Sequence, residues 1–289
     1  MNSSVKHTEI LAIVSARWRR WLGWVLAAAL LAYAGVCLSF YLRQDGIVFK
    51  PSRPLVFTPR KYGLAFEDLW LTAADGTRVH AWYVAGAPGG REVLLLHGNG
   101  GNISHYLRTM LALHRQGHGV LAVDYRGYGR SEGRPSEEGA YQDAAAAFDH
   151  LVLTRRVPAD HIVVYGRSLG GAVATWLAAH RAPGALVLES TFTRLTDVGQ
   201  ARYPWLPVTL LSRNRFDSLA QIRRVRCPIL ISHGRNDTVV PARFGRALAA
   251  AAGPRARFIS LPGDHSDAFL RGGADYLEDL RRFISSAGA

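Results

Sequence analysis

Residues 161–172, His-Ile-Val-Val-Tyr-Gly-Arg-Ser-Leu-Gly-Gly-Ala, constrain this chain more than any other stretch. The β-branched run Ile162, Val163 and Val164 leads straight into Gly166-Arg167-Ser168-Leu169-Gly170. A small-residue, helix-prone segment follows from Gly171 to Ala179. The pattern predicts a strand, a sharp turn and a helix, with a serine at the turn. Such a turn lifts one hydroxyl out of a sheet on strained backbone, where a base can reach it. Gly166 and Gly170 stand two residues before and after the serine, where side chains would face neighbouring strands and block the turn. The motif alone also fits an ordinary serine in a glycine-rich turn, so its meaning depends on the rest of the chain.

The rest of the chain supplies an alternation of short apolar runs with helical segments. Phe66–Thr72 and Thr77–Val84 read as strands joined at Asp75-Gly76, a hairpin signal. Further strands are predicted at Val93–Leu96, Val120–Val123, 162–165, Leu186–Leu188, Ile229–Ser232 and Phe258–Leu261. Helices are predicted at 103–116, 136–153, 169–181, 242–252 and 274–285. This order predicts an α/β fold, a mostly parallel sheet with helices on both faces. Its length, 289 residues, suits one such domain with an appendage. Residues 190–226 break the alternation. They hold Tyr203-Pro204-Trp205-Leu206-Pro207 and an apolar patch at Val208–Leu211, and read as a small cap insertion or a surface helix pair.

The appendage is N-terminal. Trp21 to Leu42 contains no charged residue and, at 22 residues, is long enough to cross a bilayer as a helix. Trp18, Trp21 and Trp24 crowd one end, and Phe40 and Tyr41 the other. Arg17, Arg19 and Arg20 flank the N-terminal side, which predicts residues 1–20 in the cytoplasm and the rest of the chain across the membrane, periplasmic or extracytoplasmic. Ala32-Tyr33-Ala34 resembles a signal-peptide cleavage site, but the apolar run continues eight residues beyond it, which favours an uncleaved anchor. A proline-broken basic segment, 43–61, reads as a linker to a domain over 62–289.

Composition narrows the function. The formal charge is +13, yet the arginines are scattered and no basic block alternates with aromatics, so nucleic acid is not an expected partner. A basic surface suits anionic lipid, or an arginine-rich genome. Two cysteines, Cys37 and Cys227, exclude a disulfide scaffold. With no Cys-x-x-Cys and no His-Glu-x-x-His, no metal site is indicated, and no phosphate-binding loop points to a nucleotide. Nothing in the chain speaks to oligomeric state.

Other predicted strand ends carry the partners that a serine nucleophile needs. Asp237 follows strand Ile229–Ser232 in His233-Gly234-Arg235-Asn236-Asp237, and His265 follows strand Phe258–Leu261 in Pro262-Gly263-Asp264-His265. Serine, aspartate, histidine is the chain order this architecture uses. A serine hydroxyl is a poor nucleophile at neutral pH. An imidazole that takes its proton, held by a carboxylate, activates it. Glu189, ending the strand before, is a rival for the acid. His97-Gly98-Asn99-Gly100-Gly101 follows strand Val93–Leu96, and the amides of Asn99 and Leu169 are the expected oxyanion-hole donors. His97 reads as a structural hydrogen-bonder rather than a base.

With these residues in hand, the chain resembles the α/β-hydrolase superfamily over about residues 62–287. It is more closely similar to a membrane-anchored branch that includes lysophospholipid lipases, protein depalmitoylases and bacterial relatives. The resemblance is carried by Leu96–Asn102, Asp124–Gly133, Gly166–Gly171, Glu189–Thr193 and the Asp237 and His265 loops. It implies Ser168 as nucleophile, Asp237 as orienting acid and His265 as base, with no cofactor. Loop 124–133 is a family hallmark that reads as architectural, and no role is assigned to the Arg167 side chain. The depalmitoylases of that group anchor through an N-terminal cysteine cluster; this chain has none and carries the apolar segment instead. The expected activity is hydrolysis of carboxylic esters or thioesters, with small-molecule or lipid-like acyl substrates resting on Trp205. A peptidase or amidase using the same triad, and a silent membrane-tethered binding protein, are the alternatives.

Overall fold

Parallel pairing of buried apolar strands dominates the computed structural model, which describes residues 3–287. Met1, Asn2, Gly288 and Ala289, the outermost positions of the expected N-terminal segment and catalytic domain, lie outside it. The chain divides into two units, one up to Gln44 and one from Asp45 onward. The first is helical. Helix α1 runs from Ser3 to Val48, well past the 21–42 expected from the uncharged run. Within it, Arg17–Val48 is long and apolar enough to cross a membrane, with a mean hydropathy of 2.1 in its most apolar stretch.

The second unit is built on strands β1 (Lys50–Pro51), β2 (Glu67–Thr72), β3 (Arg78–Val84), β4 (Glu92–Leu96), β5 (Gly100–Gly101), β6 (Gly119–Val123), β7 (Ile162–Arg167), β8 (Ala185–Glu189), β9 (Ile229–Gly234) and β10 (Ala256–Leu261). Its helices are α2 (Leu107–Arg115), α3 (Glu137–Asp149), α4 (Leu169–Arg181), α5 (Leu195–Arg202), α6 (Val208–Leu211), α7 (Ser218–Ile222), α8 (Arg243–Ala252), α9 (Ala268–Arg271) and α10 (Gly273–Ser285). Eight strands form one sheet in the order β10-β9-β8-β7-β4-β6-β3-β2. The β2–β3 and β3–β6 pairs are antiparallel and the others parallel. This is the mostly parallel α/β sheet that the alternation predicted, in the arrangement that the resemblance to α/β hydrolases implied.

Two apolar layers sandwich the sheet. Leu94, Leu96, Val164, Leu188 and Ile231 face the layer holding α3, α4 and α8. Val93, Leu95, Val163, Tyr165 and Leu230 face the one holding α2 and α10. Alternate residues of each central strand therefore enter opposite layers, which is why these strands read as unbroken apolar runs. Parallel pairing from β4 to β10 brings the carboxyl ends of β4, β7, β9 and β10 to one edge of the sheet, where such folds place their ligands.

Residues 45–61 depart from the expected linker. Phe49 is buried, and β1 pairs in parallel with β5, Lys50 opposite Gly100 and Pro51 opposite Gly101. A segment whose prolines suppress periodicity is thus packed on the fold through backbone groups. Residues 190–226 form three short helices, α5 to α7, between β8 and β9. Helix α3 ends in a single π-turn at His150–Thr154, where a continuous helix to 153 was expected.

Candidate active site

Ser168 sits between β7 and α4 with φ 52° and ψ −118°. An L-residue pays for this conformation, and it persists only where surrounding contacts impose it. Here the contacts are explicit. The Ser168 amide donates to the Glu189 carbonyl at 2.8 Å. Its carbonyl accepts from the Gly171 amide at 2.9 Å and from the Thr191 hydroxyl at 2.7 Å. A Cβ on Gly170 would lie 2.2 Å from the Leu96 carbonyl of β4, as expected of a side chain aimed at a neighbouring strand. Gly166 differs from that expectation: its Cβ would lie 2.2 Å from the Gly170 carbonyl and 2.6 Å from the Ala174 methyl, so it makes room for α4.

Asp237 and His265 reach the serine from the next strand ends. The two loops are joined by main-chain bonds from Arg235 to Leu261, 2.8 Å, and from Asn236 to Gly263, 3.1 Å. His265 Nδ1 lies 2.7 Å from Asp237 Oδ2, and His265 Nε2 lies 3.0 Å from Ser168 Oγ. A carboxylate only accepts, so Nδ1 carries the proton and donates to Asp237, leaving Nε2 to accept from the serine hydroxyl. The structure thus brings Ser168, His265 and Asp237 into one hydrogen-bonded chain.

Asp237 is held ionised. Its other oxygen accepts from the amides of Val239, 3.0 Å, and Val240, 2.7 Å. His233 Nε2 lies 3.2 Å from Oδ2 and donates to the Val240 carbonyl at 2.7 Å. Burial alone would raise the carboxyl pKa. The hydrogen bonds from His233 and His265, the nearby His265 charge and the Val240 amide outweigh it and hold the pKa well below the ordinary range.

The loop after β4 lies against the serine: a Cβ on Gly98 would be 3.4 Å from Ser168 Cβ. His97 is buried among the rings of Tyr106, Tyr125 and Tyr128, and its Nδ1 donates to the Gly98 carbonyl at 2.7 Å. Because the peptide is planar and trans, pinning the Gly98 carbonyl turns the Asn99 N–H to the opposite side. Among the described residues no acceptor takes the amides of Asn99 or Leu169. The Leu169 amide is the first of α4, where helix geometry leaves N–H groups unpaired and partly positive.

Glu189, the rival acid, is committed elsewhere. It is buried, accepts from the Tyr165 hydroxyl and pairs with Arg167 Nε at 3.1 Å. Arg167, left without a role by the sequence, donates from Nη2 to the His265 carbonyl at 2.7 Å. In the sheet Arg167 and Glu189 stand opposite one another at adjacent strand ends, a pairing that no sequence signal announced. Trp205 takes no part in the Ser168–His265–Asp237 hydrogen-bond chain. It lies in the insertion, 55% exposed, as is Leu210 at 84%. No group of three or more His, Cys, Asp or Glu side chains arranged for a metal occurs among the described residues.

Against known proteins, residues 90–219 match the family model described as serine aminopeptidase, S33. The chain is 34% identical over 281 residues to the α/β-hydrolase domain-containing protein WAV2 of Arabidopsis thaliana, covering 88% of this chain and 91% of that one. The chain belongs to the α/β-hydrolase family. Another relative is an uncharacterised membrane protein of Saccharomyces cerevisiae, 30% identical over 282 residues, covering 93% of this chain and 97% of that one. The family's fold recurs in the Pyrococcus furiosus esterase Pf2001, with a TM-score of 0.72, 21% identity, and coverage of 84% of this chain and 99% of that one.

Proposed function

We propose that this α/β hydrolase is a membrane-anchored serine hydrolase that cleaves carboxylic ester or thioester bonds through an acyl-enzyme. The observation that carries this reading is the continuous Ser168–His265–Asp237 hydrogen-bond chain, with the serine on strained backbone. Ser168 Oγ attacks the acyl carbonyl as His265 Nε2 takes its proton. Asp237 keeps Nδ1 protonated and stabilises the imidazolium. The oxygen, now negative, is received by the amides of Asn99 and Leu169. Collapse of the tetrahedral species breaks the bond to the leaving alcohol or thiol, which is protonated from Nε2. A water molecule, deprotonated by the same imidazole, then releases the acid.

The apolar helix supports anchoring, and the yeast relative described as a membrane protein agrees with it. Arg17, Arg19 and Arg20 before the apolar stretch support a cytoplasmic N-terminus, with the hydrolase domain on the far side. Labelling with a fluorophosphonate probe tests the mechanism: wild type reacts and Ser168→Ala does not. Equal labelling of both removes Ser168 as nucleophile. The serine aminopeptidase description of the family model favours a second reading, amide cleavage by the same residues. Turnover of aminoacyl p-nitroanilides with none of p-nitrophenyl esters would decide for it.

A further inference from the structure

The segment that follows the apolar helix is bonded to the loop proposed to hold the oxyanion. Lys50 N–H donates to the Asn99 carbonyl at 2.9 Å, and Ser52 N–H to the Gly101 carbonyl at 2.9 Å. In return, Asn99 Nδ2 donates to the Val48 carbonyl at 3.1 Å, and Asn102 Nδ2 to the carbonyls of Ser52 and Pro54, both 2.9 Å. Val56 N–H ends the seam on Ser104 Oγ at 3.0 Å. The last turn of α1 and the residue after it grip the insertion between β8 and β9. Asp45 accepts from Asn214 Nδ2 at 2.9 Å and pairs with Arg213 at 3.1 Å, while the buried Phe49 meets the Phe216 ring edge-on, centroids 6.2 Å apart.

We propose that residues 45–56 are a positioning strap, which sets the Asn99 peptide for oxyanion binding and ties it to the insertion. This rests on the hydrolase reading above. The physical reason is that Asn99 belongs to a short glycine-flanked loop in which His97 holds the Gly98 carbonyl, while the Asn99 carbonyl is held from outside the loop. The Gly98 carbonyl is pinned by His97, and the Asn99 carbonyl by Lys50 N–H and the Tyr128 hydroxyl, 2.8 Å. With both flanking carbonyls held, the N–H between them has one direction. Half of the second clamp comes from the strap, so the peptide through which this enzyme leaves its apolar helix also helps to preorganise its donor.

The strap enters the seam through its main-chain groups, which gives a clean test in the full-length chain in detergent. Lys50→Pro removes the N–H that holds Asn99, whereas Lys50→Ala keeps it. Ser52→Pro, which removes the second N–H, is the companion variant should Lys50→Pro fail to fold. The proline variants should lose about tenfold or more in kcat on a p-nitrophenyl ester, with KM within about twofold. Amide exchange in the 99–104 loop should speed up, and Lys50→Ala should match wild type in both. Wild-type kcat in folded proline variants, unchanged exchange, or an equal loss in Lys50→Ala would overturn the strap. A wild type with no ester turnover counts instead against the hydrolase reading, and exchange then decides alone whether the strap holds the loop.

Discussion

Arg167, the residue before the serine, holds the main-chain carbonyl of His265 with Nη2 at 2.7 Å while its Nε pairs with buried Glu189 at 3.1 Å. One guanidinium therefore fixes the loop that aims the imidazole. Its planar fork serves both partners at once, which a lysine cannot reproduce. Arg167→Met should lower kcat about tenfold with little change in KM, since the loop shifts but the substrate surface does not. It should also destabilise the fold by about 3–5 kcal/mol, because Glu189 is left as an unpaired buried charge. Adding Glu189→Gln should restore much of the melting temperature and little of the kcat. Recovery of both together would show that Arg167 acts through stability alone.

The backbone at Ser168 makes a second, less usual prediction. At φ 52° a glycine has no Cβ penalty, whereas alanine keeps it. Ser168→Gly and Ser168→Ala should both be inactive, but the glycine variant should be the more stable, by about 1 kcal/mol. Urea unfolding of the two variants measures this directly, and equal midpoints would mean that the elbow stores no strain.

Asp237 links activity to acid stability. Its folded pKa is depressed, so it contributes stability above the ordinary carboxylate pKa, and that contribution is lost as pH falls through the lower, folded value. Wild type should therefore lose stability on acidification below about pH 4 more steeply than Asp237→Asn, and the gap between their melting temperatures should narrow there. At neutral pH Asp237→Asn should cost up to about 10⁴-fold in kcat, because the amide favours the wrong imidazole tautomer. A pH-independent gap in melting temperature would argue that Asp237 is not ionised in the fold.

What could be read before any coordinates were those features written in side-chain type and local order. The β-branched run before Gly166 marked β7, and apolar runs ending at Leu96, Ser232 and Leu261 marked strands whose ends carry His97, His233 and the His265 loop. Long-range backbone pairing left no such trace. Lys50 and Asn99 are joined by main-chain groups, which every residue but proline possesses, so nothing in a proline-broken stretch announced β1. Arg167 was opaque for a related reason: its acceptor is a carbonyl 98 positions away, reached only when β7 and β10 lie on one sheet edge. The extent of α1 was underestimated because charge marks a membrane span and not the end of a helix.

The insertion between β8 and β9 yields the last prediction. Trp205 and Leu210 are exposed there, while Leu206, Phe216 and Ile222 are buried and hold the insertion on the fold. An indole so exposed contributes little to folding, so Trp205→Ala should change stability by less than about 0.5 kcal/mol. If the insertion receives acyl chains, the same change should raise KM for long-chain p-nitrophenyl esters by about 10-fold, the worth of roughly 1.5 kcal/mol of lost apolar contact, and leave acetate or butyrate esters as they were. A chain-length series on wild type and variant measures that difference. Parallel profiles across all lengths would take Trp205 out of the substrate path and leave acyl selection to residues nearer Ser168.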